Sequence, residues 1–268
     1  MISVLKDIVE RKFREVARAR EATPVEVLRE RISELGRPRN FFQSVVDRRH
    51  PNATHVIAEI KRKSPSAGVI REDFDPVAIA KAYAANGASA ISCLTDEHDF
   101  GGRLEYIHAV RDAVRIPVLR KDFIVDIYQV WESRAAGADA ILLIAEALPE
   151  RDIIDFQILA TELGMTTLIE VHDVDNLLRV VNIVGFPHAS YSLLGINNRD
   201  LRTMKTSIEH CMRLAELLEN TSVLVAESGI RTPQDLARLR AHGIHIALVG
   251  EHLMRQPDPG EALRELLS

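Results

Sequence analysis

A carboxylate and an ammonium group stand close together at the end of an apolar run near residue 60. The run from His55 to Ala58 is typical of a buried strand, and Glu59 and Lys61 follow it. Successive side chains of a strand point to opposite faces, so Glu59 and Lys61 lie on the same face. Such a pair at a strand end is typical of a site that binds an anion, although a solvated basic segment would show the same residues.

Charged and amide side chains also end several later apolar runs. They are Lys121 and Asp122, Glu170, Asn197 and Arg199, Glu227, and Glu251. A charge inside an apolar run is costly unless it is paired, and a single residue of this kind is more often part of a structural salt bridge. At so many strand ends together, lysines and carboxylates predict a compensated cluster that can exchange protons with a substrate.

The elements that must bring these residues together alternate regularly along the chain. The predicted strands are His55–Lys61, Ala90–Thr95, Pro117–Asp122, Ala140–Ala145, Thr167–Val171, Leu193–Asn198, Val223–Ser228 and His245–Gly250. The predicted helices between them include Pro76–Asn86, Leu104–Val114, Glu150–Leu163, Ile208–Glu219 and Pro233–His242. Gly87, Gly137, Gly164 and Gly243 each stand just past a helix, where a left-handed residue often caps it.

These runs predict an α/β fold of the (β/α)8 TIM-barrel type. Nearly all of the strands are continuous apolar runs, as in parallel sheets that are covered on both faces. In such a barrel the active site lies at the carboxyl ends of the strands, where the charged residues collect. The alternative is a doubly wound open sheet, but no G-x-G-x-x-G follows the first strand.

Residues 1–48 are predicted to form an N-terminal helical extension packed on the barrel, within one domain that spans residues 1–268. Its apolar stripe consists of Leu5, Ile8, Val9, Lys12, Phe13 and Val16, which recur at helical spacing. A second helix is predicted near Thr23-Pro24, with Thr23 as its cap and Pro24 at its first position.

Composition limits the possible partners. A net charge of −5 argues against broad nucleic-acid binding. Cys93 and Cys211 are too few and too far apart for a disulfide framework or a cysteine zinc site, so a reducing compartment is expected. His172 has no second histidine or carboxylate at the spacing of a metal site. No apolar run is long enough to span a membrane and no secretory signal is recognisable, so we expect a cytoplasmic protein without a membrane partner.

Seven long motifs, in order along the chain, carry a family resemblance. They are Ile57–Ser66, Leu94–Asp96 with Phe100–Gly102, Pro117–Ile124, Leu168–His172, Gly195–Leu201, Ala226–Ile230 and Leu248–Glu251. On these motifs the chain resembles the indole-3-glycerol phosphate synthase family of tryptophan biosynthesis. Ile60, Glu97-His98-Asp99 and Asn198 depart from the forms typical of that family, but none of them is a proposed catalytic group.

The resemblance implies a carboxy-lyase that closes 1-(2-carboxyphenylamino)-1-deoxyribulose 5-phosphate to indole-3-glycerol phosphate, with loss of CO2 and water. It implies neither a cofactor nor a metal, and we expect no second catalytic domain in the chain. Lys121 is then the expected general acid and Glu170 the expected base, with Lys61 as an alternative acid in dehydration. Glu59 is expected to orient Lys61, and Asn197 and Arg199 to hold the carboxylate that leaves as CO2.

The remaining substrate contacts follow from the same resemblance. The phosphate is expected on the backbone of Ser228, Gly229, Gly250 and Glu251, with Lys63 and Ser64 as further candidates. The aromatic ring is expected in a slot formed by Phe100, Phe123 and Leu142, although plain barrel core explains these three residues nearly as well. The rival functions are an isomerase that acts on phosphoribosyl-anthranilate and an inactive barrel that serves as a scaffold.

Overall fold

Eight parallel strands close into a barrel in the computed structural model, which describes residues 3–46, 53–184, 191–200, 203 and 205–268. Strands β1 to β8 span His55–Ile60, Ala90–Leu94, Val118–Lys121, Ala140–Ile144, Thr166–Val171, Ser192–Asn197, Leu224–Glu227 and Ile246–Val249. Each strand pairs with the next in the chain, and β8 pairs with β1 to close the ring. The predicted TIM barrel is confirmed.

Helices cover the outside of the ring. Helices α1 to α13 span Ser3–Ala22, Val25–Glu34, Phe41–Val45, Pro76–Ala85, Glu97–Phe100, Glu105–Ala113, Ile127–Ala135, Glu150–Glu162, Val174–Val184, Glu209–Ala215, Pro233–Ala241, Glu251–Met254 and Pro259–Leu266. A short 3-10 turn, Ala145–Ala147, follows β4, and a small antiparallel hairpin of Lys63–Ser64 and Gly68–Val69 follows β1. The four glycines predicted to cap helices all have positive φ, between 73° and 97°.

Strand alternation sorts side chains between the inside of the ring and the helical layer. In β3, Leu119 belongs to the apolar cluster inside the ring and Lys121 borders the cavity above it. Arg120, between them, points outward and donates hydrogen bonds to Glu132 and Ser133 of α7. Neighbouring residues of one strand therefore belong to different environments.

Helix α3 covers the amino-terminal end of the barrel. Phe41 and Val45 are fully buried and belong to the same apolar cluster as the inner strand residues. The backbone N–H of Phe42 donates to Thr166 Oγ1 (3.2 Å) at the start of β5. Because the described residues fill this end with apolar side chains, we expect a ligand to enter the ring from the opposite end.

Helix α1 lies against the barrel, but one residue of its predicted apolar stripe does not. Leu5, Ile8, Val9 and Val16 are buried, whereas Phe13 is 51% exposed. At 100° per residue, Phe13 lies about 80° from the centre of the stripe, so the prediction that it belongs to the buried face is wrong.

The start of the second helix also differs from its prediction. Helix α2 begins at Val25, Pro24 occupies the cap position, and no side chain caps the helix. The carbonyl of Thr23 instead accepts a hydrogen bond from the Tyr128 hydroxyl (2.9 Å) of α7. This contact fixes the turn between α1 and α2 on the barrel. Residues 1–2, 47 and 48 of the predicted extension lie outside the described residues.

Candidate active site

A cavity of about 610 Å³ opens at the carboxyl ends of the strands. Almost all of the site residues proposed from the sequence line it: Glu59, Lys61, Ser64, Phe100, Lys121, Phe123, Leu142, Glu170, Asn197, Arg199, Ser228, Gly229, Gly250 and Glu251. Lys63 does not line it, because its ammonium group donates to the carbonyl oxygen of His98 (2.7 Å).

Lys121 lies at the centre of the charged groups. Its Nζ is 3.1 Å from Glu170 Oε2 and 3.3 Å from Glu227 Oε2. Burial by itself lowers the pKa of this ammonium, but Glu170, Glu227 and Glu59 outweigh burial and raise the pKa above its usual value. Lys121 is therefore a cation at neutral pH and can donate a proton or a hydrogen bond into the cavity.

The two carboxylates beside Lys121 differ in protonation. Burial opposes ionisation of Glu170, yet Lys121 and His172 lower its pKa to about 2. Burial, together with the nearby charges of Glu170 and Glu59, raises the pKa of Glu227 well above its usual value even though Lys121 opposes the change. Two carboxylates that share one ammonium cannot both ionise easily, so Glu227 retains its proton to higher pH than Glu170.

Glu227 had no role in the sequence interpretation beyond its position at a strand end. That position was the available signal, because the contact with Lys121 joins residues 106 positions apart. Its Oε1 is buried without a hydrogen-bond partner in the described part of the chain. We call Glu59, Lys61, Lys121, Glu170 and Glu227 the inner cluster.

Two glycines make room for inner-cluster carboxylates. Lys61 Nζ donates to Glu59 Oε1 at 2.6 Å, and a Cβ on Gly250 would lie only 2.4 Å from the same oxygen. A Cβ on Gly195 would lie 2.3 Å from Glu227 Oε1. Both distances are shorter than van der Waals contact, so any other residue would displace the carboxylate.

The rim at β7 and β8 has an unusual backbone conformation. Ser228 has a φ of 66°, the only positive value among the described non-glycine residues, and Gly229 follows with a φ of 80°. Asn198 stabilises this turn by donating to the Ser228 carbonyl (3.1 Å). Consecutive residues of this kind can turn backbone N–H groups toward an anion.

Arginines surround the same rim. Arg199 lies 3.0 Å from Glu251 Oε2, and its backbone N–H donates to Asn197 Oδ1 (3.0 Å). Arg231 and Arg255 also line the cavity, although the sequence interpretation did not include them. The carboxylate of Glu251 pairs with Arg199 and Arg255, so positive charge dominates this end of the cavity.

Apolar side chains form the opposite wall. The rings of Phe100 and Phe123 pack with their centroids 6.1 Å apart, and Leu142 lies at the base of the cavity. Leu5 and Ile8 of α1 complete the wall. The sequence contained a signal for this contribution, namely the apolar stripe of α1, but the stripe alone did not show which part of the barrel it would cover.

A second charged cluster lies behind Lys121, on the outer side of the strand ends. Lys12 Nζ of α1 lies 2.9 Å from Asp96 and 2.8 Å from Asp122, and Arg120 lies 3.0 Å from Asp122. Burial opposes the change, but Arg120 and Lys12 lower the pKa of Asp122 to about 2. Arg11 also contacts Asp96, at 3.0 Å. We call Arg11, Lys12, Asp96, Arg120 and Asp122 the outer cluster.

The described residues contain neither a membrane-spanning helix nor a cluster of metal ligands. None of their helices is both long and apolar enough to cross a membrane. Among the same residues, no group of three or more His, Cys, Asp or Glu side chains is placed to hold a metal ion.

The sequence of this chain is similar to those of known proteins of one family. The sequence model of the indole-3-glycerol phosphate synthase family matches residues 5–266. The indole-3-glycerol phosphate synthase of Rhodopirellula baltica is 47% identical over 267 residues, which cover 100% of both chains, and that of Laribacter hongkongensis is 44% identical over 269 residues, with the same coverage.

Solved structures of lower identity share the fold alone. A 3-hexulose-6-phosphate synthase aligns with a TM-score of 0.62 and 16% identity, over 80% of this chain and 98% of that one. Thiamine phosphate pyrophosphorylase from Pyrococcus furiosus aligns with a TM-score of 0.56 and 15% identity, over 81% of this chain and 95% of that one.

Proposed function

Since the chain belongs to the indole-3-glycerol phosphate synthase family and catalyses that family's reaction, we propose that Lys121 is the general acid of ring closure and Glu170 the base of dehydration. The substrate is a phosphorylated derivative of anthranilate, and the reaction loses CO2 and water. The observation that carries these roles is the position of the Lys121 ammonium between Glu170 and Glu227, in the cavity that Lys61 also borders.

Ring closure needs a proton on the ketone oxygen of the substrate. The aromatic carbon that bears the carboxylate attacks C2′, and the carbonyl oxygen becomes a hydroxyl group. Lys121 is the group best suited to donate this proton, because it is cationic and buried beside the cavity. A fixed cation in a site of low polarity also stabilises the negative charge that develops on that oxygen.

Dehydration then needs a base for a C1′ proton, because the indole double bond forms between C1′ and C2′ while the nitrogen keeps its hydrogen. Glu170 is ionised in the resting site but is a weak base while its pKa is about 2. Once Lys121 has given its proton away, the ion pair at 3.1 Å is lost and the affinity of Glu170 for a proton increases. The two steps are thereby coupled, because the acid step strengthens the base that the next step uses.

Lys61 and Glu59 form a second acid unit at the same rim. The 2.6 Å contact holds the ammonium of Lys61 over the cavity and supports the orienting role proposed for Glu59. Lys61 is then placed to protonate the C2′ hydroxyl as it leaves. Glu227 is a second carboxyl partner of Lys121, at 3.3 Å.

The other cavity residues have proposed roles in binding. Arg199 presents a planar fork to the two oxygens of the carboxylate that leaves as CO2, and Asn197 supports it through the backbone hydrogen bond at 3.0 Å. We place the phosphate at the rim of Ser228, Gly229, Gly250 and Glu251, with Ser64 nearby. We place the aromatic ring between Phe100 and Phe123, above Leu142.

Lys63 is proposed as a phosphate ligand only if its ammonium leaves the His98 carbonyl when the substrate binds.

We further propose that residues 1–48 belong to the single barrel domain and close the apolar wall of the cavity. A cytoplasmic location is proposed as well, and it is supported by Cys93 and Cys211, which are both buried and unpaired.

A single-turnover experiment tests the two main roles. Product indole fluorescence and loss of the substrate carboxylate are followed separately after the substrate is mixed with excess Glu170→Gln enzyme. Dehydration is expected to slow much more than ring closure, because the amide cannot accept the C1′ proton. Glu162→Gln, an exposed change at the end of α8, is the matched control. Unchanged rates for both steps in Glu170→Gln remove Glu170 from the mechanism.

A further inference from the structure

A histidine that the proposed reaction does not use lies directly beside the proposed base. His172 follows β5, its side chain is 9% exposed, and it borders the cavity. Its ring Nε2 lies 3.5 Å from Glu170 Oε1, whereas Lys121 contacts the other oxygen, Oε2. The imidazole and the ammonium therefore approach Glu170 from its two different oxygens.

Glu146, in the 3-10 turn after β4, fixes the orientation of this ring. Glu146 Oε1 accepts a hydrogen bond from the backbone N–H of His172 at 2.7 Å, and Oε2 lies 3.2 Å from Nδ1. His210 of α10 lies on the other side, with its Nε2 2.9 Å from the carbonyl oxygen of His172. The imidazole cannot rotate away from Glu170 without losing its contact with Glu146.

Both ring nitrogens of His172 consequently face carboxylate oxygens. A neutral imidazole has a single N–H and would turn the lone pair of its other nitrogen toward a carboxylate. Only the imidazolium form presents an N–H toward both Glu146 and Glu170. The contact with Glu146 is a hydrogen bond, whereas Nε2 has no hydrogen-bond partner among the described residues and faces Glu170 as an ion pair at 3.5 Å. Burial and the charge of Lys121 favour the neutral ring, but the two carboxylates outweigh them and raise the pKa of His172 above its usual value.

We propose that His172 is a positioning residue for Glu170: its imidazolium, held by Glu146, keeps the Glu170 carboxylate ionised and aligned to receive the C1′ proton of the cyclised intermediate. This inference rests on the proposed role of Glu170 and extends it. In the transfer a C1′–H bond of the cyclised intermediate breaks and an O–H bond to Glu170 forms. The electrons of the C1′–H bond form the C1′=C2′ double bond as the C2′ hydroxyl leaves as water with a proton from Lys61, while His172 keeps both of its ring protons throughout.

The protonation of His172 can be measured in the unmodified protein. Nitrogen NMR of the histidine rings is expected to show both nitrogens of His172 protonated at pH 7, with a titration midpoint above the usual value of about 6.5. The His172→Gln variant identifies the signal. A neutral His172 ring at pH 7 overturns the proposal, and this measurement does not depend on how well the variant folds.

The effect on Glu170 is measured through the pH dependence of kcat/KM. In His172→Gln the acid limb is expected to shift to higher pH by about one unit, since a nearby opposite charge lowers a carboxyl pKa by roughly 1–3 units. Glu146→Gln is expected to shift it less and in the same direction. His108→Gln, a change at an exposed histidine of α6, is the matched control and should leave the profile unchanged. A folded His172→Gln enzyme with an unmoved acid limb overturns the proposal, whatever its kcat.

The Glu170→Gln experiment distinguishes a failure of the proposed base, Glu170, from a failure of the positioning role of His172. If Glu170→Gln blocks dehydration but His172→Gln leaves the acid limb unmoved, only the positioning role of His172 is wrong. If Glu170→Gln leaves both steps unchanged, the proposed base and this inference are both wrong.

Discussion

The inner and outer clusters contain the same kinds of buried residue within a few ångströms of each other, but they are organised differently. In the outer cluster, Asp122 meets two cations, Lys12 and Arg120, and its pKa is lowered to about 2. In the inner cluster, Glu170 and Glu227 share Lys121, and the pKa of Glu227 is raised. Breaking a fully paired buried charge destabilises a fold. A buried charge that is incompletely paired has a shifted pKa, which is typical of groups that exchange protons with a substrate.

The difference begins within a single dipeptide. Lys121 and Asp122 are adjacent in the chain, but strand alternation gives them different partners: Lys121 contacts Glu170 and Glu227, whereas Asp122 contacts Lys12 of α1. Burial and charge alone would therefore not identify a catalytic residue in this protein. The outer cluster also borders a cavity of about 610 Å³, so the size of the cavity does not separate the two clusters. What distinguishes the inner cluster is the shortage of cations beside its carboxylates, since Glu170 and Glu227 share the single ammonium of Lys121.

The largest expected effect is the loss of turnover in Lys121→Met. Removal of the general acid should lower kcat by about 10²–10⁴-fold, since general acid catalysis typically contributes that much. Binding of a product analogue should change far less. Steady-state fluorescence and a binding titration measure the two quantities, with the exposed Lys81→Met as control. Turnover like that of the wild type would exclude Lys121 as the acid.

The same substitution in the outer cluster should affect stability instead. Lys12→Met leaves Asp96 and Asp122 with fewer cations, and breaking a buried pair in this way costs about 3–5 kcal/mol of unfolding free energy. Below the melting transition, kcat should stay within about tenfold of wild type, because Lys12 is not among the residues that line the cavity beside Lys121.

Lys6→Met is the matched control for Lys12→Met. Lys6 lies on the same helix, 3.8 Å from Glu10 at an exposed position, so its loss should cost at most about 0.5 kcal/mol. Urea unfolding of both variants gives the comparison. Equal stability of Lys12→Met and Lys6→Met would contradict the structural role of the outer cluster.

The acid stability of the outer cluster should depend on Asp122. Its pKa in the folded protein, about 2, is below the value of about 3.9 in an unfolded chain. The stabilisation is therefore complete above about pH 4 and is lost as the pH falls toward 2. For a shift of this size it amounts to roughly 2–3 kcal/mol.

The variant Asp122→Asn isolates the contribution of the ionised Asp122 carboxylate to the unfolding free energy. The difference in unfolding free energy between wild type and Asp122→Asn, measured in urea from pH 6 to pH 2, should shrink by that amount across the interval. A difference that stays constant with pH would show that the carboxylate charge of Asp122 does not contribute.

The smallest effect should have the opposite sign and occur in the inner cluster. The folded pKa of Glu227 is raised, so the folded state loses stability as pH rises above the unfolded value of about 4.3. Glu227→Gln resembles the protonated acid and removes this penalty. It should therefore raise the unfolding free energy at pH 7 and change it little at pH 4.

A pair of amide substitutions thus provides the sharpest test of the contrast. Asp122→Asn should destabilise the protein at pH 7, whereas Glu227→Gln should stabilise it. If both variants lose stability at pH 7, the two clusters are equally well paired and the distinction between them fails.

Much of this protein was determined by local features of its sequence. The barrel followed from continuous apolar runs separated by helix-length segments, and the charged residues of the inner cluster followed from their position at strand ends. These features can be read from the sequence because strand alternation and apolar patterning depend only on neighbouring residues.

Only the tertiary structure decided which charges meet. Lys121 and Glu227 are 106 residues apart, and Glu146 and His172 are 26 residues apart, so their contacts depend on closure of the ring and on strand register. The placement of Lys12 beside Asp122 depends on how α1 docks, which its apolar stripe did not specify. A carboxylate's pKa is set by partners brought together from several strands and helices, and for that reason the distinction between inner and outer clusters was absent from the sequence.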